Sequence, residues 1–289
     1  MTRTGLSPRL AAHVAEPFVE IHPHDAGRIG VEQGELARVE TEHGSAILRV
    51  MLSEGQQRGS LFVPIHWSAA NSSDGRVGAL VQPVTDPFSG QPESKGTPAA
   101  ITRVDASHYG FLLSRHAVTP DARYWTRARM PAGHVTFLAL AATPASWSAW
   151  SGPLLPPGEQ LTYHDARSQQ YRVAVVREQR LEAVLYMAAS PILPSLEWLK
   201  TCFDTPVTTG AERRSLLAGR PVAGTDEGPI VCACFQVGRG RIEAAAAEGA
   251  CSVAQIGETT RAGTNCGSCV PELKRIAAAS RVELPAAAE

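Results

Sequence analysis

A chain of 289 residues with 44% hydrophobic and 19% charged side chains carries enough apolar material for two or three packed domains and too little charge to stay disordered. A formal net charge of −1, with no basic block anywhere, argues against nucleic acid as a partner. No run approaches the roughly 18 apolar residues of a membrane span, and the opening Met1-Thr2-Arg3-Thr4-Gly5-Leu6 lacks a signal peptide's apolar core, so a cytoplasmic protein without a membrane partner is expected.

In chain order, residues 18–22 alternate apolar and polar and read as a strand. Asp25 is expected to cap a short helical turn that Gly30 ends. Residues 36–40 and 46–51 flank Glu42-His43-Gly44 as a hairpin, and residues 61–65 read as a further strand. Short strands and frequent turns suggest a barrel or sandwich, crossed by an irregular Pro-, Gly- and Ser-rich loop over residues 82–98. His22, His24, His43 and His66 form no metal motif, and no nucleophile elbow, phosphate loop or other catalytic pattern is present.

Residues 106–227 read as a connecting α+β domain, with paired strands at 171–176 and 181–187 and a helix capped by Ser195 that carries Leu196, Leu199 and Phe203 on one face. Residues 153–158 and 221–229 read as linkers. From residue 231 the texture turns helical. An Ala-rich helix over 241–248 stops at Gly249, Ser252 and Gln255 form a capping box for a second helix ending before Gly263, and residues 271–279 make a third.

Six cysteines could form three disulfides, but four of them crowd at the two ends of this helical unit, which favours ligation. Cys232-Ala233-Cys234 and Cys266-Gly267-Ser268-Cys269 supply four thiolates at paired close spacing, suited to iron–sulfur or to zinc. A Cys-x-Cys half is less usual for zinc. Gly263, Gly267 and Ser268 allow a tight turn whose N–H groups can face sulfur, and Cys269 opens the last helix, where the dipole favours negative charge. Cys202 and Cys251 read as packed structural thiols.

Cys232-Ala233-Cys234-Phe235-Gln236-Val237-Gly238, with residues 263–273, resembles the bacterioferritin-associated-ferredoxin-like [2Fe–2S] domain, in which these four cysteines are the cluster ligands. The resemblance implies a small all-α [2Fe–2S] module over residues 228–285. Ala15-Glu16-Pro17-Phe18-Val19-Glu20-Ile21-His22-Pro23, the Gly34-Glu35 turn and residues 86–95 resemble the dinucleotide-binding domain of molybdopterin oxidoreductases. That resemblance implies a double-psi β-barrel over residues 1–105, gripping a bis(molybdopterin guanine dinucleotide) cofactor through loops. Thr2-Arg3-Thr4 resembles the end of that family's pterin-contacting loop, and Lys95 falls where the family directs a basic residue to the phosphate-bearing ligand. The family's Asn-x-Leu-Thr segment is replaced by Gly78-Ala79-Leu80-Val81, leaving Asn71 or His66 as the substitute contact.

The order of domains resembles the C-terminal end of bacterial assimilatory nitrate reductases. The resemblance implies reduction of nitrate to nitrite, with a reduced flavoprotein or ferredoxin as electron donor and the [2Fe–2S] cluster as relay. The family's [4Fe–4S] motif and molybdenum-ligand segment are not in this sequence. A fragment, a split subunit or a mis-called start is therefore expected, inactive without its catalytic N-terminal portion. A stand-alone electron-transfer protein, a zinc-stabilised interaction module and another molybdopterin oxidoreductase such as a formate dehydrogenase are the alternatives.

Overall fold

A computed structural model describes residues 6–8, 16–65, 67–221, 227–235 and 237–282. The chain divides into two compact units, residues 1–193 and 194–289. The division thus falls within the stretch 106–227, which the sequence suggested was a single connecting domain.

The first unit begins with a mixed five-stranded sheet of order β4-β1-β3-β2-β5. Strand β1 (Phe18–Ile21) leads into helix α1 (Pro23–Ile29), which Gly30 terminates in the left-handed conformation. The cap of α1 is His22, whose Nδ1 accepts from the His24 N–H at 3.0 Å, and not Asp25. Asp25 sits in the first turn, and its carboxylate reaches across to accept from the Gly59 N–H at 2.7 Å. That bond is the main cause holding its carboxyl below the usual carboxylate range.

Strands β2 (Leu36–Thr41) and β3 (Gly44–Leu52) form the expected hairpin. Strand β3 also pairs in parallel with β1, a non-local partnership that local patterning does not reveal. Strand β4 (Leu61–Phe62) is only two residues long, since Pro64 has no N–H to give a ladder. Residues 82–98 are irregular, as expected, before β5 (Ala100–Val104) completes the sheet. Among the described residues the pairing order leaves β4 and β5 as edges. Val19, Ile21, Val39, Leu48, Val50 and Trp67 form this sheet's core.

The same unit continues as an antiparallel six-stranded sheet of order β7-β8-β6-β11-β10-β9. Its strands are β6 (His108–Ser114), β7 (Tyr124–Met130), β8 (Gly133–Leu140), β9 (Glu159–Asp165), β10 (Gln170–Arg177) and β11 (Arg180–Ala188). Between β8 and β9, helix α2 (Trp147–Ser151) stacks Trp147 on Tyr171 with ring centroids 5.0 Å apart. The supposed linker at 153–158 is no linker, because Leu154 and Leu155 pack against the core of this sheet.

The two sheets share an apolar cluster of Leu36, Ile47, Val104, Tyr109, Tyr124 and Ala139. Beside it lies a buried ion pair. Arg49 donates to both carboxylate oxygens of Glu16 at 3.1 and 3.0 Å and to the Gly34 carbonyl at 2.8 Å, and the Tyr124 hydroxyl donates to Glu16 at 3.1 Å. The bidentate fork satisfies a charge that would be costly alone.

The second unit starts with α3 (Glu197–Thr201), where Leu196 occupies the cap position. Ser195, the residue expected there, has its hydroxyl oxygen 3.4 Å from the Glu197 N–H. Helix α4 (Gly210–Ala218) has a complete capping box of Thr209 and Glu212. A two-stranded pairing of β12 (Ile230–Cys232) with β13 (Val237–Gly238) precedes α5 (Arg239–Ala247), α6 (Val253–Thr260) and α7 (Val270–Val282). The C-terminal module is therefore helical with a small β pairing, not purely α. Ser252 caps α6 as expected, accepting from the Gln255 N–H at 3.3 Å. The three helices enclose Val231, Val237, Ile242, Ile256, Leu273 and Ile276, and Glu272 pairs with both Arg239 and Arg275.

Candidate functional site

The β12–β13 pairing ends one side of the cysteine site and the α6–α7 turn forms the other. Cys232 closes β12, Cys234 lies in the turn after it, Cys266 lies in the turn after α6, and Cys269 immediately precedes α7. That second turn is tight because Gly263 and Gly267 both take the left-handed conformation, at φ 84° and 74°. A side chain at Gly263 would also meet Leu273 at 2.9 Å, so glycine is required there for space as well as for backbone freedom.

The fold brings the four predicted ligands together in two pairs. Cys234 and Cys266 stand with sulfurs 3.3 Å apart at the surface. Cys232 and Cys269 are each 3% exposed, and their thiols are hydrogen-bonded to one another inside the core of the module. None of the six cysteines is in a disulfide.

Cys269 of the inner pair and Cys266 of the outer pair sit in opposite electrostatic surroundings. Burial, and then the neighbouring Cys232 thiol, push the Cys269 thiol up to about 11, against a smaller opposing effect from the Gly263 N–H. Hydrogen bonds from the Ser268 hydroxyl, the Ser268 N–H and the Cys234 thiol pull Cys266 down to about 7. The Ser268 oxygen lies 3.1 Å from the Cys266 sulfur. Sequence inspection valued Ser268 only for its small size; its hydroxyl was the overlooked signal. Nearby, the Arg261 guanidinium lies over the Phe235 ring at 4.1 Å, next to Cys234 in sequence.

This donor set can be tested against the metals it might take. A single tetrahedral zinc needs four ligands around one point. Among the described residues, no group of three or more His, Cys, Asp or Glu side chains is disposed to hold one metal ion. Two separate thiol pairs suit a two-iron centre, in which each iron takes two protein sulfurs. Burial pushes the inner Cys269 thiol up, so it needs a cation beside it to become a thiolate. The residues present therefore fit a [2Fe–2S] cluster.

The other two cysteines stand apart from this group. Cys202 is buried, and burial pushes its thiol up to about 11. Cys251 is partly buried beside the Ser252 cap.

In the first unit, Thr2, Arg3, Thr4 and His66 lie outside the described residues. Asn71 is buried, and its amide oxygen accepts from the Ser68 N–H at 3.0 Å, bracing its own loop. Lys95 is exposed on the irregular loop, its backbone N–H donating to the Glu93 carboxylate. Trp67, which sequence reading passed over, is 3% exposed, and its indole N–H has no partner among the described residues. A buried donor without an acceptor, in the loop that also carries Asn71, suits a ligand rich in oxygen and nitrogen acceptors.

Comparison with known proteins decides between the readings of both regions. A family model described as "Molydopterin dinucleotide binding domain" matches residues 1–98, and one described as "BFD-like [2Fe-2S] binding domain" matches residues 230–279. The chain joins a molybdopterin dinucleotide-binding domain to a BFD-like [2Fe–2S]-binding domain. It is 38% identical over 281 residues to "Nitrate reductase" of Klebsiella oxytoca, a match covering 96% of this chain and 32% of that protein. It is 37% identical over 81 residues to "Assimilatory nitrate reductase catalytic subunit" of Bacillus subtilis, covering 28% of this chain and 11% of the relative. It is 28% identical over 103 residues to "F420-dependent formate dehydrogenase 1 subunit alpha" of Methanococcus maripaludis, covering 36% of this chain and 14% of that protein. The chain thus spans about a third of the length of its Klebsiella relative. Among the described residues no helix is long and apolar enough to cross a membrane.

Proposed function

We propose that this chain is the C-terminal portion of a cytoplasmic, molybdenum-dependent assimilatory nitrate reductase that converts nitrate to nitrite. Residues 1–105 would close over the molybdopterin guanine dinucleotide, and Cys232, Cys234, Cys266 and Cys269 would hold an electron-relaying [2Fe–2S] cluster. The single observation that carries the reading is the pairing of the four thiols, a buried pair and a surface pair, in a chain that also has the dinucleotide-binding domain. Identity to the Klebsiella nitrate reductase along 96% of the chain favours nitrate over formate, because the formate dehydrogenase likeness extends over only 103 residues.

When bound, the cluster supplies one-electron storage and the molybdenum cofactor supplies oxygen-atom chemistry. The chain's own residues bind and orient. The inner sulfurs of Cys232 and Cys269 anchor the cluster in the wall of the module, while those of Cys234 and Cys266 leave one edge open to a reduced flavoprotein or ferredoxin. In the first unit, Lys95 offers a cation to the dinucleotide phosphates, Trp67 brings an indole donor, and Asn71 braces the loop at residues 67–71 beside it. Thr2, Arg3, Thr4 and His66 complete the proposed contacts. A catalytic N-terminal portion carrying the molybdenum ligand is the required partner, and this chain alone is inactive.

The test is iron and acid-labile sulfide content with visible and EPR spectra on anaerobically purified protein. Two irons and two sulfides per chain are expected. Cys266→Ser should abolish the chromophore and Cys202→Ser should not; loss of colour in the second variant would undo the ligand assignment. In the reconstituted complete enzyme, Lys95→Ala should lower molybdenum retention, and unchanged molybdenum content would remove Lys95 from the site.

A further inference from the structure

Resting on the cluster assignment above, we infer that Ser268 sets the reduction potential of the bound cluster by donating its hydroxyl hydrogen to the Cys266 sulfur. Its oxygen stands 3.1 Å from that sulfur. Between two free groups either could donate, but a metal-bound thiolate has no proton, so the serine must be the donor once iron is present.

Nothing else in the fold calls for a hydroxyl at this position. Ser268 is exposed and is not a member of the module's apolar cluster, so its side chain is not held there by packing. Its partner is the most solvent-accessible of the four ligands, at the edge where an external donor can approach. Reduction adds an electron, and with it negative charge, without making or breaking a bond. A hydrogen bond to ligand sulfur stabilises that added charge and so raises the potential. Among the described residues no side-chain hydroxyl is hydrogen-bonded to the inner sulfurs; Cys269 has the Gly263 N–H and burial instead. Ser268 is thus a positioning residue for electron affinity at the outer edge.

The experiment uses the full chain, iron-loaded and anaerobic, as wild type, Ser268→Val and Ser268→Thr. Valine and threonine are close in volume and differ in the hydroxyl. Iron and sulfide content should be equal in all three. The midpoint potential should shift downward in Ser268→Val, with altered EPR g values, and should stay near wild type in Ser268→Thr. An unshifted potential in a fully loaded Ser268→Val, or equal shifts in both variants, would overturn the inference. Should valine weaken cluster retention, Ser268→Ala adds no bulk and is read against threonine in the same way. Wild-type protein that binds zinc and no iron would instead overturn the cluster assignment itself, which metal content reads separately.

Discussion

The two chemically informative regions of this protein solve the burial of polar groups in opposite ways. In the first unit, Arg49 is buried with its counter-ion, and Glu16, Tyr124 and the Gly34 carbonyl satisfy it within the protein. In the C-terminal module, Cys232 and Cys269 are buried together, burial pushes the Cys269 thiol up, and the cation that would offset a thiolate there has to come from outside. The Arg49 charge in the first region is thus satisfied without any ligand. The second is a small domain with a modest core, of the size that commonly depends on a metal or a covalent staple. Domains that bind cofactors can therefore differ in whether the cofactor is a guest or part of the framework.

The largest effect expected from this contrast follows removal of iron. Chelation under reducing conditions, or Cys232→Ser, should abolish amide protection across α5–α7 while the six-stranded sheet stays protected in hydrogen exchange. Persistent protection in the metal-free module would erase the distinction. Next in size is Glu16→Ala, which strands the Arg49 guanidinium inside the first unit. Breaking a buried pair this way costs about 3–5 kcal/mol, visible as a lower urea midpoint for that unit with iron content unchanged.

Acidification should act more gently and again on the first unit. His108 is 1% exposed, and burial holds its pKa below the ordinary 6.5. The folded state therefore binds fewer protons than the unfolded one as pH falls through 6.5, so its contribution is fully present above that pH and is lost below it. His134 is lowered by burial and by Arg129, with the same sign. Urea midpoints of the first unit should decline below pH 6.5, and a combined His108→Gln and His134→Gln variant should flatten that slope. The smallest effect is Ser252→Ala, which removes the cap of α6 and should cost the module about 1 kcal/mol, measured on the iron-loaded protein.

What the sequence disclosed followed from how local each signal was. The β2–β3 hairpin and the Ser252 cap each occupy a few adjacent residues, and they were legible. The Thr209–Glu212 capping box is equally local and was overlooked, although Ser/Thr-x-x-Glu is the expected signature. Of the six-stranded sheet only the β10–β11 pair was read, at 171–176 and 181–187, and the rest hid for another reason. Strand β6 is buried at all seven positions, so it has no polar alternation to read, and β9 at the sheet edge is largely exposed, so it has no apolar face. The β10–β11 pair was legible from its apolar runs even though its turn uses Glu178 and Gln179 at positive φ in place of glycine or asparagine. The pairing of β1 with β3 depends on residues distant in sequence. At the site, four positions could be named in advance, but their division into an inner and an outer pair depended on how α7 and β12 pack.

That division bears on how the module would age in air. Oxidants and chelators arrive from solvent, where Cys266 is exposed, whereas Cys232 and Cys269 are packed with Val231, Val237 and Leu273. Damage should therefore begin at the outer sulfurs and leave the inner pair intact longest. Mass spectrometry of air-exposed protein would then find sulfenic or sulfinic acid at Cys266 and Cys234 before any at Cys232 or Cys269, so that the wear on the protein traces the burial of its thiols.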